Sequence, residues 1–226
     1  MPKPDLPEWI ARLHGGDIID QLPADFTSPT STTVREAAVL VLLAGDPNAT
    51  ELPEDASVVL EHRNPTMRSH SGQIAFPGGH IEHGDLTVVH TALREAYEEV
   101  GLVSTSVIPV AKLSPVHIRV SGYPIHPIVA YWREPMPLTA ASPDEVDEVF
   151  QAPVKDLLNP DNRFCTQLPG FVGPAFQIRD YLVWGFTAGI LDALFVAAGW
   201  EQPWDRSNVV PLEKALAHSR NGEKMS

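Results

Sequence analysis

The sequence contains a single cysteine, Cys165, among its 226 residues. One cysteine excludes an intramolecular disulfide, so the hydrophobic core must supply the stability of the fold. Long apolar runs are also scarce: the longest helix-like run, residues 186–200, includes Asp192 and is too short to cross a bilayer. No N-terminal basic stretch is followed by an apolar one, so we expect no export signal and a cytoplasmic location.

Basic residues are few as well. Lys and Arg total 16 against 29 Asp and Glu, which gives a formal net charge of -13. Nucleic acid and anionic membranes attract surfaces with excess Lys and Arg, so this balance disfavours both as partners. A polyanionic small molecule would bind only where metal ions or clustered arginines invert the local field.

Proline is abundant by contrast, with 22 residues, and its spread predicts long ordered loops. The chain length suits one domain with decorations. We predict an N-terminal extension over residues 1–33 that includes a short helix at 7–14. A domain over residues 34–200 and a polar C-terminal tail over residues 201–226 complete the predicted organisation.

Segments of strand composition alternate with turn residues, and two segments have helical periodicity, which predicts the α/β class. The predicted strands cover residues 34–43, 58–63, 73–76, 107–113, 125–132, 163–167 and 175–184. Residues 142–150 predict a turn and then a strand with one buried face. The predicted helices cover residues 86–100 and 187–198, and residues 154–158 predict a single helical turn.

Glu95, Glu98 and Glu99 fall at i, i+3 and i+4 of the first predicted helix, so their carboxylates share one face. Like charges at these spacings oppose folding unless something neutralises them. Ligand sets made of oxygen atoms select a hard cation such as Mg²⁺ or Mn²⁺. The alternative is a solvated face on an amphipathic helix. Its apolar stripe would be Val88, Val89, Ala92, Leu93, Ala96 and Val100.

The flanks of this helix carry features that helix stability does not require. Glycines at 78, 79 and 84 predict a flexible turn before it, and Asp85 or Thr87 can cap its start. Gly101 stands where a left-handed helix stop belongs. Arg94 directly precedes Glu95, and its guanidinium can bind carboxylates. Together the flanks favour a functional reading of the three glutamates.

This composite resembles the Nudix box, whose pattern is Gly-x5-Glu-x7-Arg-Glu-apolar-x-Glu-Glu-x-Gly-apolar. The second half is matched at every position, by Arg94, Glu95, Ala96, Glu98, Glu99, Gly101 and Leu102. In the first half, counted from Gly79, Asp85 stands at the position of the first Glu. Eight residues rather than seven separate Asp85 from Arg94, so one residue is inserted before the helix.

The resemblance implies a Nudix α/β/α sandwich with a mixed β-sheet over most of the chain. It implies hydrolysis of a nucleoside diphosphate linked to another moiety, with Mg²⁺ or Mn²⁺ held by Glu95, Glu98 and Glu99. Arg94 is expected to orient a glutamate or the preceding loop. Nudix enzymes often recruit a carboxylate outside the box as a further ligand or base. Glu145 and Glu148 fit that role by resemblance, and a solvated strand face is the alternative.

A second motif lies upstream, between residues 60 and 79. It resembles the signature of coenzyme A diphosphatases within the Nudix family, where Arg-Ser, a later Arg and Gly-Gln precede Phe-Pro-Gly-Gly. The matching residues are Arg63, Arg68, Gly72, Gln73, Gly78 and Gly79, and we expect them to bind the substrate. Glu61, His62 and Asn64 depart from the usual small or hydroxyl residues. An ordinary surface loop is the alternative reading of the two arginines.

Histidines offer two further hypotheses. His80, His83 and His90 are spaced closely enough for a zinc site, although carboxylates favour a harder metal. His117 and Arg119 lie in a predicted loop that would form a wall of the substrate site, or would simply be exposed.

The sequence thus predicts a metal-dependent hydrolase of small nucleotide substrates, with coenzyme A or its derivatives as the first candidate. The implied products are 3′,5′-adenosine bisphosphate and (acyl-)4′-phosphopantetheine. Alternatives are a diphosphatase for ADP-ribose or nucleotide sugars, a nucleoside triphosphate hydrolase, and a ligand sensor without catalysis. A homodimer is possible.

Overall fold

Strand β1, Ala37–Ala44, is almost entirely apolar and lies at the centre of the fold. The computed structural model describes residues 6–14, 35–117 and 123–223. Within them, Val41 and Leu43 of β1 join one hydrophobic cluster, and Ala38, Leu40 and Leu42 join another. A strand buried on both faces indicates a sheet covered by structure on each side, as in an α/β/α sandwich.

The described residues form two sheets and five α-helices. The first sheet contains β1, β2 (Ser57–Arg63), β3 (Ile74–Ala75), β4 (Gly78–His80), β5 (Val107–Lys112), β6 (Val116–His117), β7 (Pro124–Trp132) and β8 (Val146–Pro153). The second contains β9 (Arg163–Leu168), β10 (Phe171–Ile178), β11 (Tyr181–Val183) and β12 (Val209–Pro211). The helices are α1 (Glu8–Ala11), α2 (Val88–Val100), α3 (Val154–Leu158), α4 (Gly185–Ala197) and α5 (Leu212–Leu216).

The first sheet is mixed, with strand order β3-β2-β1-β7-β5 along its main path. β1 and β7 pair in parallel, whereas β2 is antiparallel to both β1 and β8. β4 is antiparallel to β1, and β8 extends the sheet beside β2. The α/β class and the mixed sheet predicted from the sequence are confirmed, and the second sheet is an addition.

Helix α2 covers one face of the first sheet. Ala92, Ala96 and Val100 are buried there, as the predicted apolar stripe requires. Thr87 caps the helix by accepting a hydrogen bond from the His90 N–H at 3.1 Å, and such a cap contributes about 1 kcal/mol. Gly101 ends the helix in the left-handed region, with φ of 72°. The helix that carries the three glutamates is therefore fixed at both of its ends.

Helix α4 belongs to the hydrophobic cluster on the opposite side of β1. The segment from residue 175 to 184, predicted as one strand, is instead a hairpin of β10 and β11. Arg179 makes its turn with a positive φ of 52°. In the described ranges, no helix is long and apolar enough to cross a membrane.

The segment predicted as a polar tail is part of the fold where the structure describes it. β12 pairs in parallel with β9, and Leu212 of α5 is buried. Asn221 is 0% exposed despite its polarity. The segment 219–223, which we call the C-terminal strap, therefore packs into the body of the protein.

Candidate active site

The glutamates of α2 face strand β4, which carries the first two glycines of the predicted turn. Gly78 and Gly79 pair with Val39 and Ala38 of β1, so they form a strand, and the prediction of a flexible turn at these two positions was wrong. A Cβ atom at Gly78 would lie 2.4 Å from the Ala38 carbonyl oxygen. Glycine is required here because the β1 backbone approaches so closely.

Glu99 is the most enclosed of the three helix glutamates. Its Oε2 accepts a hydrogen bond from the Gly78 N–H at 2.8 Å, and its Oε1 lies 3.7 Å from Nη1 of Arg63. Burial raises the pKa of Glu99 to about 7, although the Gly78 hydrogen bond and Arg63 oppose the shift. A carboxylate in this position needs a nearby positive charge to stay ionised.

Arg94 holds the other two helix glutamates. Its Nη2 donates to Oε1 of Glu95 at 3.0 Å, and its Nη1 donates to Oε2 of Glu98 at 3.0 Å. Its Nη2 also donates to the His80 carbonyl at 2.9 Å. Glu98 keeps 52% of its side chain exposed. Burial raises the pKa of Glu95, and Arg94 partly offsets the effect.

Asp85 binds Arg94 although Asp replaces the Glu of the Nudix box and one extra residue precedes the helix. Its two oxygens accept hydrogen bonds from Nε and Nη2 of Arg94 at 3.1 and 3.0 Å. They also accept from the Glu82 N–H and the Thr91 hydroxyl. These hydrogen bonds hold the pKa of Asp85 well below its ordinary value, and those from Arg94 have the largest effect. Asp85 therefore supports the loop by fixing Arg94, which in turn orients Glu95 and Glu98.

Glu145 and Glu148, the two carboxylates predicted outside the box, have different surroundings in the structure. Glu145 is exposed, and its charge contributes to the raised pKa of both Glu99 and Glu61. Glu148 accepts hydrogen bonds from Arg179, Tyr181 and Arg220. Its partners thus lie in the second sheet and the C-terminal strap rather than on α2.

The predicted substrate residues form the base and the tip of the loop between β2 and β3. The backbone N–H of Arg63 donates to the Gln73 carbonyl at 2.9 Å, and the Gly72 N–H donates to the Arg63 carbonyl at 3.0 Å. Arg63 is largely enclosed beside the carboxylates of Glu61 and Glu99. Arg68 is exposed and forms no ion pair or hydrogen bond with the described part of the chain. The structure thus brings Arg63, but not Arg68, next to the helix glutamates.

The C-terminal strap secures this loop, which the sequence analysis did not foresee. The Asn221 carbonyl lies 2.9 Å from Nε2 of His62, and Oε1 of Glu223 accepts from the Gln73 amide at 2.7 Å. Gly72 has φ of 73°, and a Cβ there would lie 2.2 Å from the Asn221 carbonyl oxygen. The Gly-Gln pair of the motif therefore meets the strap directly.

Glu61 is a further carboxylate that the sequence analysis noted only as a departure from the motif. It is 0% exposed, and neither of its oxygens accepts a hydrogen bond within the described part of the chain. Burial raises its pKa well above the ordinary value, and the charge of Glu99 adds to the effect. An acidic residue inside an apolar strand was the available signal for it.

The histidines do not assemble into a site. His80 packs against Tyr123, His90 lies beside Asp85, and His83 is exposed. His117 is in β6, whereas Arg119 lies outside the described residues. In residues 6–14, 35–117 and 123–223, no three His, Cys, Asp or Glu side chains converge as a metal ligand set would.

The carboxylates nevertheless fit a divalent cation in their chemistry. Glu95, Glu99 and Glu61 supply oxygen donors, which Mg²⁺ and Mn²⁺ prefer. Burial raises the pKa of each, and the charges of neighbouring carboxylates add to the effect. Arg63 already lies between Glu61 and Glu99, which shows that this position accommodates positive charge. A carboxylate helix beside a glycine strand in an α/β/α sandwich is the arrangement that the resemblance to the Nudix family implies.

Comparisons with known proteins also indicate the Nudix family. The NUDIX domain model matches residues 34–166. The uncharacterized Nudix hydrolase NudL of Escherichia coli O7:K1 is 34% identical over 170 residues, which cover 73% of this chain and 83% of that protein. NudL of Escherichia fergusonii matches with the same identity and coverage. The crystal structure of the M. smegmatis Nudix hydrolase RenU has a TM-score of 0.50 at 18% identity, covering 76% of this chain and 89% of that one, and shows the shared fold.

The chain therefore belongs to the Nudix family. It is a Nudix hydrolase that acts on small nucleoside diphosphate-linked substrates, in a family that generally depends on divalent metals.

Proposed function

We propose that this enzyme hydrolyses the diphosphate of coenzyme A or its acyl derivatives to 3′,5′-adenosine bisphosphate and (acyl-)4′-phosphopantetheine. The motif residues Arg63, Arg68, Gly72 and Gln73 support this proposal because they share one loop beside the carboxylates. The observation that carries it is the different surroundings of the two arginines. One is enclosed at the carboxylates, and the other is exposed and free of partners in the described ranges.

Arg63 and Arg68 suit different phosphates of the substrate. Arg63 lies 3.7 Å from Glu99, so it is next to the position that the reacting diphosphate must occupy. Within the described residues, the guanidinium of Arg68 has no partner and lies at the surface of the loop, and such a group suits a remote phosphate. In coenzyme A the remote phosphate is the 3′-phosphate. We therefore assign the diphosphate to Arg63 and the 3′-phosphate to Arg68.

The other residues near the proposed diphosphate position have distinct roles. Glu95 and Glu99 would hold Mg²⁺ or Mn²⁺, with Glu98 on the exposed side of the same face. A bound divalent cation supplies Lewis acidity and neutralises charge on the diphosphate. Arg94 orients Glu95 and Glu98 through its hydrogen bonds, and Asp85 fixes Arg94. Glu145 is exposed, and its charge acts on Glu99, so it is the candidate to accept a proton from the attacking water.

The test compares coenzyme A with dephospho-coenzyme A, which lacks the 3′-phosphate. The wild type should have the higher kcat/KM for coenzyme A. Arg68→Ala should lower only that value, by about 10- to 150-fold, since a charged hydrogen bond contributes about 1.5–3 kcal/mol. Arg63→Ala should damage the hydrolysis of both substrates. Arg133→Ala removes an exposed arginine elsewhere and is the matched control.

Equal wild-type efficiency on the two substrates would remove the case for a 3′-phosphate pocket. A clear preference for ADP-ribose would do the same and would favour a general nucleotide diphosphatase.

A further inference from the structure

Glu61 lies in the middle of strand β2, where it pairs with Ala75 of β3 and Val149 of β8. It is fully enclosed, yet neither carboxylate oxygen accepts a hydrogen bond from the described residues. Leaving a buried carboxylate without partners is costly, and buried polar groups nearly always find them. Packing alone therefore gives no reason for an acid at this position.

The surroundings of Glu61 add to the cost. Its Oε1 lies 3.5 Å from Nη1 of Arg63, and Oε1 of Glu99 lies 3.7 Å from the same nitrogen. Both distances are too long for a good hydrogen bond, so one guanidinium is shared loosely between two carboxylates. The charges of Glu95 and Glu145 also act on Glu61. One arginine thus lies between two carboxylates, and the charges of two further carboxylates act on Glu61.

We propose that Glu61 is a further ligand of the divalent cation, contributed by strand β2 to the site that Glu95 and Glu99 form on α2. The proposal rests on the proposed function, because it assumes a cation at the helix glutamates. A cation bound there would satisfy the unpartnered oxygens of Glu61 and would separate its charge from that of Glu99. It would also release Arg63 from Glu61 to bind the substrate diphosphate.

A buried neutral carboxylic acid is the competing explanation of Glu61. A neutral acid would need an acceptor for its own O–H group, and the described residues offer none within hydrogen-bond range. A small or hydroxyl residue, which the upstream motif usually has at this position, would cost much less to bury than a carboxylate. The extra carboxylate is therefore better explained as a feature that this chain adds to its cation site.

The experiment measures Mn²⁺ binding to the full chain without substrate, by electron paramagnetic resonance and by calorimetry. Glu61→Gln keeps the side-chain shape, and Glu61→Thr restores a hydroxyl residue. Glu99→Gln tests the cation site itself, and Asp144→Asn removes an exposed charge from the turn before β8 as the control. Unfolding temperatures with and without Mn²⁺ provide a second readout, which remains informative if one Glu61 variant fails to fold.

If Glu61 is a ligand, Glu61→Gln and Glu61→Thr should each weaken Mn²⁺ binding by about tenfold or more. Asp144→Asn should stay within about twofold of the wild type, since the effect of this exposed charge is only electrostatic. Both Glu61 variants should unfold at a higher temperature than the wild type without metal and should gain less from Mn²⁺.

Unchanged Mn²⁺ affinity in the Glu61 variants, together with lost affinity in Glu99→Gln, would overturn the role of Glu61 and leave the proposed function intact. Unchanged affinity in Glu99→Gln would overturn the cation site and the role of Glu61 with it. An equal loss in Asp144→Asn and Glu61→Gln would reduce Glu61 to an electrostatic contribution and would also overturn the proposal.

Discussion

Gly79 lies directly against the carboxylate of Glu95, so that a Cβ atom at position 79 would be 2.5 Å from Oε1 of Glu95. The neighbouring Gly78 instead meets the backbone, with the Ala38 carbonyl oxygen 2.4 Å from its virtual Cβ. The two glycines therefore serve different purposes. Gly78 allows β4 to pair with β1, and Gly79 leaves room for a glutamate of the active site.

This difference predicts that alanine at one position lowers activity, whereas alanine at the other lowers stability. Gly79→Ala should displace only the flexible end of Glu95, so the protein should stay folded while kcat falls by an order of magnitude or more. Gly78→Ala must move the backbone of β1, and we expect destabilisation of about 1–3 kcal/mol. Thermal unfolding and kcat measured on both variants check this. Near-normal activity of a folded Gly79→Ala variant would show that the position of Glu95 does not matter.

The clamp between Asp85 and Arg94 predicts how stability depends on pH. The folded-state pKa of Asp85 is depressed, so its stabilisation is complete above its ordinary pKa of about 4 and is lost as the pH falls further. Asp85→Asn should cost about 1.5–3 kcal/mol at pH 7. The gap to the wild type should narrow as the pH is lowered below about 4.

Denaturant unfolding of both proteins between pH 7 and pH 3 measures this gap, and Asp144→Asn, at an exposed position, is the control. A gap that stays constant with pH would mean that the Asp85 carboxylate charge is not what stabilises the loop.

The contacts of the C-terminal strap predict that Asn221 stabilises the loop between β2 and β3. Asn221 accepts from the Leu182 N–H at 2.9 Å and donates to the Leu182 carbonyl at 3.0 Å, while its own carbonyl contacts His62. Asn221→Ala should lower stability by about 1–3 kcal/mol because it leaves buried backbone groups unpaired. It should also speed hydrogen exchange in residues 63–73, measured by mass spectrometry.

Glu213→Ala, on the exposed face of α5, is the control for the strap variant. Unchanged exchange in the loop of a folded Asn221→Ala protein would contradict the anchoring role of the strap.

Local patterns in the sequence predicted helix α2 well. Its periodicity identified the buried face, and Gly101 marked its end because few residues other than glycine adopt a left-handed conformation easily. The box also identified Arg94 and the helix glutamates as neighbours, since all lie within two turns of one helix. The predicted α/β class followed from the alternation of apolar strands with two periodic helices.

Contacts between distant segments could not be predicted in the same way. His62 and Asn221 are separated by 159 positions, and no local pattern links them. The alternation of residues 142–150 made Glu145 and Glu148 equivalent candidates, but only the fold brings Arg179, Tyr181 and Arg220 to Glu148. The isolation of Glu61 likewise depends on what packs around β2, which a single strand sequence does not specify.

The most direct test of the account is to identify the products formed from coenzyme A with Mg²⁺ or Mn²⁺ by mass spectrometry. The wild type should yield 3′,5′-adenosine bisphosphate and 4′-phosphopantetheine in equal amounts, and folded Glu99→Gln should form them more slowly by orders of magnitude. Intact coenzyme A after incubation with wild-type enzyme that cleaves ADP-ribose under the same conditions would contradict the proposed substrate. Equal turnover by Glu99→Gln and the wild type would contradict the proposed site.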